Sequence, residues 1–111
     1  MTVALKQTLD YRNKLEKSYG DYLVSQKRMG EIDDVRYEAV RLKLAYNTTY
    51  LPDFMVVKHG FPIEFHETKG RKFEAGMAKL KIAATRFPWF LFYMVEKKNK
   101  QWVITPIKIS D

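Results

Sequence analysis

Two short segments of the chain contain the side chains best suited to chemistry. Residues 50–54 read YLPDF and residues 65–70 read FHETKG, and both patterns are typical of β-strands. Residues two apart in a strand project from the same face, so Glu67 and Lys69 are expected side by side, with Thr68 facing away. If the strand that holds Asp53 pairs beside them, two carboxylates and one ammonium group converge at one point.

This combination of side chains suits phosphodiester hydrolysis. A divalent cation offsets the negative charge that protects a phosphodiester, activates water and stabilises the leaving oxygen. Hard cations take oxygen ligands, usually including one or two carboxylates. We therefore expect Asp53 and Glu67 to bind Mg²⁺ or Mn²⁺, with the carbonyl of Thr68 as a third candidate ligand. Lys69 would orient water or stabilise charge on the phosphate; the alternative is an ordinary salt bridge on a sheet face.

Other polar residues are weaker candidates. Glu16 borders the buried face of a predicted helix and could reach the metal, although its position alone favours an ordinary solvated glutamate. His66 neighbours Glu67 and is therefore expected on the opposite sheet face, as a packing or surface histidine. Three basic residues, seven apart on a second helix, could contact the DNA backbone, although a solvated helix face explains them almost as well. They are Lys72, Lys79 and Arg86.

Hydrophobic periodicity predicts the elements that position these residues. Helices are expected over residues 11–29, ending at Gly30, and over residues 73–87. The expected strands cover residues 35–46, 50–58, 63–69, 89–96 and 101–109, the first with Val40, Leu42 and Leu44 inward. The residues 89–96 are nearly all apolar, which predicts a strand covered on both faces, and Pro106 places the last strand at a sheet edge. The order is α-β-β-β-α-β-β, which indicates an α/β or α+β mixed sheet flanked by helices.

Composition narrows the class of protein. A length of 111 residues with 46% hydrophobic residues suits a single domain, with residues 1–9 expected as a loose arm. The net charge is +7, and residues 56–111 hold 11 Lys and Arg against 5 Asp and Glu. This surplus suits a polyanionic partner, and a merely soluble basic surface explains it equally well. The absence of cysteine excludes disulfides, thiolate catalysis and cysteine-ligated zinc. Without a signal peptide or a long apolar run, the expected location is cytoplasmic, with no membrane partner.

The motif Tyr-x-Pro-Asp-Phe, followed by a hairpin, Glu-x-Lys-Gly and a helix, resembles the PD-(D/E)XK nuclease superfamily. Within it, the chain looks similar to small phage endonucleases of the endonuclease I type, which resolve Holliday junctions. Leu51 stands where those proteins commonly have threonine. The resemblance implies that Asp53 and Glu67 are metal ligands, that Lys69 is the catalytic lysine, and that Glu16 assists from the first helix.

The same resemblance implies a restriction-endonuclease-like core in one nuclease domain spanning residues 1–111. It implies an Mg²⁺- or Mn²⁺-dependent DNA endonuclease of a phage or prophage, acting on branched or structured DNA in the host cytoplasm, with a homodimer as one expectation. Three alternatives stay open. They are a nicking or restriction-like nuclease on duplex DNA, a non-catalytic DNA-binding accessory protein of replication or recombination, and an RNA nuclease.

Overall fold

The computed structural model describes residues 11–70 and 73–108. This part of the chain contains two helices, α1 (Lys14–Arg28) and α2 (Phe73–Arg86). Five strands lie between the helices: β1 (Asp34–Tyr37), β2 (Leu42–Ala45), β3 (Thr48–Tyr50), β4 (Phe54–Val57) and β5 (Glu64–Thr68). Two more follow α2, namely β6 (Leu91–Lys98) and β7 (Gln101–Pro106).

A five-stranded sheet in the order β1-β4-β5-β6-β7 forms the centre of the fold. β5 and β6 are parallel, and the other neighbouring pairs are antiparallel. Parallel neighbours need a crossover connection, which α2 supplies between β5 and β6. The expected mixed α+β sheet is confirmed, and β7 is an edge strand that includes Pro106, as its missing N–H predicts.

The two helices cover opposite faces of this sheet. On one face, Tyr19 and Leu23 of α1 belong to a buried cluster with Phe54, Val56 and Val95 of the sheet. On the other face, α2 packs with a separate two-stranded sheet of β2 and β3. The buried members of this second cluster are Leu42, Leu44, Tyr50, Phe65, Leu80, Ala83, Ala84 and Phe92.

The strand expected over residues 35–46 is two strands, so that prediction is wrong. Glu38 has a φ of 47°, in the left-handed region, and the chain leaves the large sheet there. β1 pairs with β4, whereas β2 pairs with β3 beside α2. The buried residues are odd-numbered in β1 (Val35 and Tyr37) and even-numbered in β2, so the alternation changes phase near Glu38, and the prediction of one strand overlooked this sign of a break. Leu42 and Leu44 are buried as expected, and Val40 is partly buried.

The strand expected over residues 50–58 is also interrupted. β3 ends at Tyr50 and β4 begins at Phe54. Pro52 lies between them and has no N–H to donate to a ladder. Asp53 therefore lies in the irregular segment just before β4, where strand alternation does not govern its side chain.

The other predicted elements differ from the structure mainly at their ends. The helices and the strand over residues 63–69 are confirmed within one to three residues. β6 begins at Leu91, and Trp89 precedes it with 63% exposure, so the expected coverage on both faces is wrong at that end. The expected arm over residues 1–9 lies outside the described residues. Of the two described helices, neither has the length and apolar character needed to cross a bilayer.

The missing side chain of Gly20 leaves space for Tyr11, which lies before α1, to pack into the core. A Cβ atom at Gly20 would lie 2.1 Å from Tyr11 Oη, so only glycine leaves room for this ring. Tyr11 packs against Tyr37 and Phe54 with centroid separations of 4.5 and 5.7 Å. The close approach fixes residues 11–13 over the end of the sheet, where the candidate site lies.

Candidate active site

Asp53 and Thr68 lie at the same end of the large sheet, where β4 begins and β5 ends. The antiparallel register pairs Phe54 with His66, so the preceding Asp53 comes level with Glu67. Asp53 is only 2% exposed. Its Oδ2 accepts hydrogen bonds from the backbone N–H of Thr68 at 2.9 Å and from the Thr68 hydroxyl at 2.8 Å. Thr68 thus holds the Asp53 carboxylate in place; a role for its carbonyl as a ligand stays a prediction.

Glu67 approaches Asp53 from the other face of the sheet. Its Oε1 accepts hydrogen bonds from the Tyr50 hydroxyl at 2.6 Å and from the backbone N–H of Asp53 at 3.3 Å. A Cβ atom at Gly76 of α2 would lie 3.0 Å from Glu67 Oε2, so the helix passes close by. The two carboxylates that the sequence expected on one face therefore meet at the sheet end from opposite faces, because Asp53 lies outside the ladder.

Glu16 joins Asp53 from the first turn of α1. Asn13 caps this helix by accepting a hydrogen bond from the backbone N–H of Glu16 at 2.8 Å. The same Asn13 donates from Nδ2 to Glu16 Oε2 at 2.7 Å, and the Tyr37 hydroxyl donates to Glu16 Oε1. Glu16 is 4% exposed, so the sequence-based alternative of a solvated glutamate is wrong.

Glu38 is a neighbour of this pair that the sequence did not reveal. Within the described residues, carboxylate oxygens of Glu16, Glu38 and Asp53 lie within 4.8 Å of one another. The left-handed φ of Glu38 turns the chain at the end of β1, and its N–H donates to the backbone carbonyl of Asp53 at 2.8 Å. The change of phase near Glu38 is a signal for a break in the strand, but nothing in the pattern indicates that Glu38 meets Glu16 and Asp53.

Arg12 is a second neighbour that the sequence did not reveal. Its Nη2 lies 3.2 Å from Asp53 Oδ1 and 3.6 Å from Glu16 Oε2, and its Nε lies 3.0 Å from Glu38 Oε2. One guanidinium therefore contacts all three carboxylates. The Arg12 side chain is itself 61% exposed, so it covers the group from the solvent side.

The environment opposes ionisation of the two central carboxyl groups. Burial raises the pKa of Asp53, and the Glu16 carboxylate raises it further, against the opposing hydrogen bonds from Thr68 and the charge of Arg12. Burial also raises the pKa of Glu67. The Asp53 carboxylate raises it further, and the hydrogen bond from Tyr50 lowers it. A concentration of carboxylates with raised pKa values favours occupation by a cation.

The basic candidates lie in different settings. Lys69 follows β5 directly, and its Nζ forms an ion pair with Glu96 Oε1 at 3.2 Å. Lys79 donates from Nζ to the backbone carbonyl of Thr49 at 3.0 Å, and Arg86 is exposed in the last turn of α2. Lys72 lies outside the described residues. The DNA-binding role of these residues stays a prediction.

His66 belongs to a separate buried network, as its position next to Glu67 predicted. Its Nδ1 lies 2.6 Å from the Tyr19 hydroxyl, and its Nε2 lies 2.8 Å from Glu64 Oε1. Lys58 completes the chain with an ion pair to Glu64 Oε2 at 3.0 Å. This network lines a cleft of about 240 Å³ on the α1 face, away from Glu67. Burial lowers the pKa of His66, which favours a neutral packing histidine.

The donor set fits a hard divalent cation. Glu16, Glu38 and Asp53 supply only oxygen, which is the donor type that Mg²⁺ and Mn²⁺ prefer. Two of the three side chains are held by hydrogen bonds from fixed neighbours, so the group is arranged before any ligand arrives. Glu67 is outside this group of three and contacts it through the backbone of Asp53.

Comparison with protein-family models, with curated proteins and with solved structures gives no match for this chain.

Proposed function

We propose that this protein is an Mg²⁺- or Mn²⁺-dependent endodeoxyribonuclease that hydrolyses phosphodiester bonds, with branched or structured DNA as its substrate. The single observation that carries the proposal is the buried carboxylate of Asp53. The Glu16 carboxylate lies beside it, and Glu67 accepts a hydrogen bond from the Asp53 backbone N–H. Buried carboxylates are unfavourable unless a cation or a hydrogen-bond network compensates them. Asp53 and Glu67 also lie in the two segments whose motif resembles that of PD-(D/E)XK nucleases.

Each residue has a distinct part in this proposal. Asp53 and Glu16 would hold the cation, and Thr68 orients the Asp53 carboxylate through two hydrogen bonds. When bound, the cation neutralises phosphate charge and activates water for attack. Glu67, whose pKa burial raises, would complete the ligand set, because a bound cation favours its ionised form. Lys69, which is 47% exposed, stabilises charge on the phosphate from the solvent side.

Charge supports DNA as the partner. Residues 56–111 have 11 Lys and Arg against 5 Asp and Glu, and these residues supply β5, α2 and the lysines near the site. Exposed cations such as Lys79 and Arg86 suit contacts with phosphates, which contribute affinity without reading sequence. The restriction-endonuclease-like core, the preference for branched DNA and a homodimer belong to the proposal through the resemblance alone.

The first prediction is that Asp53→Asn abolishes cleavage and manganese uptake while the fold remains. The amide keeps the shape of the carboxylate but removes its charge, so a cation loses its central ligand. The measurements are cleavage of a labelled four-way junction with Mg²⁺ or chelator, calorimetric titration with Mn²⁺, and circular dichroism. Asp21→Asn is the matched control, because Asp21 is an exposed carboxylate of α1 whose ion pair is with Lys17.

Wild-type activity in a folded Asp53→Asn protein would overturn the mechanism. The same assay separates the substrate classes when junction, flap, single-stranded, duplex DNA and RNA are compared at matched sequence. We expect the junction to be cut fastest. Equal cutting of linear duplex would favour a nicking or restriction-like nuclease, and binding without cutting by the wild type would favour an accessory protein.

A further inference from the structure

Arg12 occupies the solvent side of the acidic group where a cation would be expected. Its guanidinium contacts Asp53, Glu16 and Glu38 at 3.2, 3.6 and 3.0 Å. Three carboxylates around one positive charge are the arrangement that a bound divalent cation would also require. A guanidinium and a cation at the same carboxylates repel each other and compete for the same lone pairs.

The partners of these carboxylates differ in how readily they can leave. Asn13 caps α1, Tyr37 lies in β1, and Thr68 ends β5, so their hydrogen bonds to the group come from fixed elements. Arg12 lies before the helix and is 61% exposed. Because the Arg12 side chain is long and mostly exposed, it can turn into solvent without movement of the backbone, whereas the other partners cannot.

We propose that Arg12 is a built-in substitute for the metal, which compensates the acidic group in the cation-free protein and must turn away before Mg²⁺ or Mn²⁺ binds. The inference rests on the proposed function, because it takes Asp53 and Glu16 as metal ligands. Arg12 thereby sets the affinity for the cation. It stabilises the empty site and weakens metal binding by the same interactions.

Metal affinity tests the inference directly. We expect Arg12→Gln to bind Mn²⁺ about tenfold more tightly than wild type in a calorimetric titration without DNA, since it removes the competing ion pairs. Lys17→Gln is the matched control. It removes the same charge from a nearby side chain of similar exposure, 59% against 61%, whose partner is Asp21. The control is expected to bind Mn²⁺ as wild type does.

A second measurement uses the unmodified protein. The nitrogen-15 NMR signal of Arg12 Nε–H is expected to shift on addition of Mg²⁺, while the signal of Arg36, paired with Asp34 at 2.9 Å, stays in place as an internal reference. If wild type binds the cation but Arg12→Gln does not bind it more tightly than Lys17→Gln, or the Arg12 signal is unmoved at saturation, the inference fails and the nuclease proposal stands. If no variant takes up Mn²⁺, the metal centre itself is overturned, and the inference with it.

Discussion

Glu67 is held where its neighbours oppose its ionisation. It accepts hydrogen bonds from Tyr50 and from the backbone of Asp53, yet burial and the Asp53 carboxylate both raise its pKa. The native state therefore binds a proton at Glu67 more tightly than the unfolded chain does. Its contribution to stability is fully present below the ordinary glutamate pKa of about 4.3 and is lost as the pH rises through the native pKa.

The corresponding prediction concerns Glu67→Gln. The amide oxygen can still accept both hydrogen bonds, but glutamine has no charge to bury. We expect the variant to be more stable than wild type by about 1–2 kcal/mol near pH 8, with the difference shrinking toward pH 4. Urea unfolding with chelator at several pH values measures this difference. Glu31→Gln, at an exposed position, controls for the loss of one charge; equal pH profiles for all three proteins would contradict the argument.

Residues of the site differ in how far the sequence could predict them. Asp53, Glu67 and Lys69 lie in short segments whose residue types already indicate metal-assisted chemistry. Glu38 and Arg12 do not, because the first depends on a left-handed turn and the second on the path of the chain before α1. Neither feature leaves a periodic pattern, and contacts between residues 12, 38 and 53 are set only when the strands pair.

Among the helices and strands, periodicity predicts the helices reliably, whereas it does not predict where one strand ends and the next begins. The 3.6-residue pattern placed both helices, since each must bury one apolar stripe. Period-two alternation continues across Pro52 and changes phase near Glu38, and the structure begins a new strand after each of them. Those two interruptions separate β2 and β3 from the large sheet, and they also place Glu38 and Asp53 next to each other.

Gly20 supports a prediction about α1 and the segment before it. Alanine in a helix interior is normally more favourable than glycine by about 1 kcal/mol. Here its Cβ would lie 2.1 Å from Tyr11 Oη, so the ring must leave Tyr37 and Phe54. We expect Gly20→Ala to lower the free energy of unfolding by about 1–3 kcal/mol, measured by denaturant unfolding.

A double-mutant cycle distinguishes this clash from a general helix effect. In a Tyr11→Leu background the space beside Gly20 is relieved, so Gly20→Ala is expected to be neutral or stabilising there. Stabilisation of the otherwise unchanged protein by Gly20→Ala would show that Tyr11 is not held against α1.

In the molecule as a whole, the candidate site contains residues from both faces of the large sheet. Glu16 belongs to α1, and Asp53 belongs to the segment before β4. Glu67 belongs to β5, and its side chain lies on the α2 side of the sheet. A ligand that binds these residues binds the native state and not the unfolded chain, so its binding free energy adds to the stability of the entire domain.

The prediction at this scale is a cation-dependent melting temperature. Free Mn²⁺ at about 100 times its Kd should stabilise the wild type by about 2.7 kcal/mol. Asp53→Asn should melt at the same temperature with and without Mn²⁺, because its central ligand is lost. Differential scanning calorimetry with Mn²⁺ or chelator gives both values; an equal rise in the two proteins would indicate that the cation binds elsewhere.

The acidic residues of the site are widely separated along the chain, so a nascent polypeptide contains only some of them. Glu38, Asp53 and Glu67 come together through the pairing of β1 with β4 and of β4 with β5, and Glu16 joins them when α1 packs on the sheet. A fragment that stops before residue 64 lacks β5 and with it Thr68, the residue that orients Asp53. On the proposed function, a nascent chain still on the ribosome therefore has no complete site, and DNA cleavage would begin only once synthesis has passed residue 68.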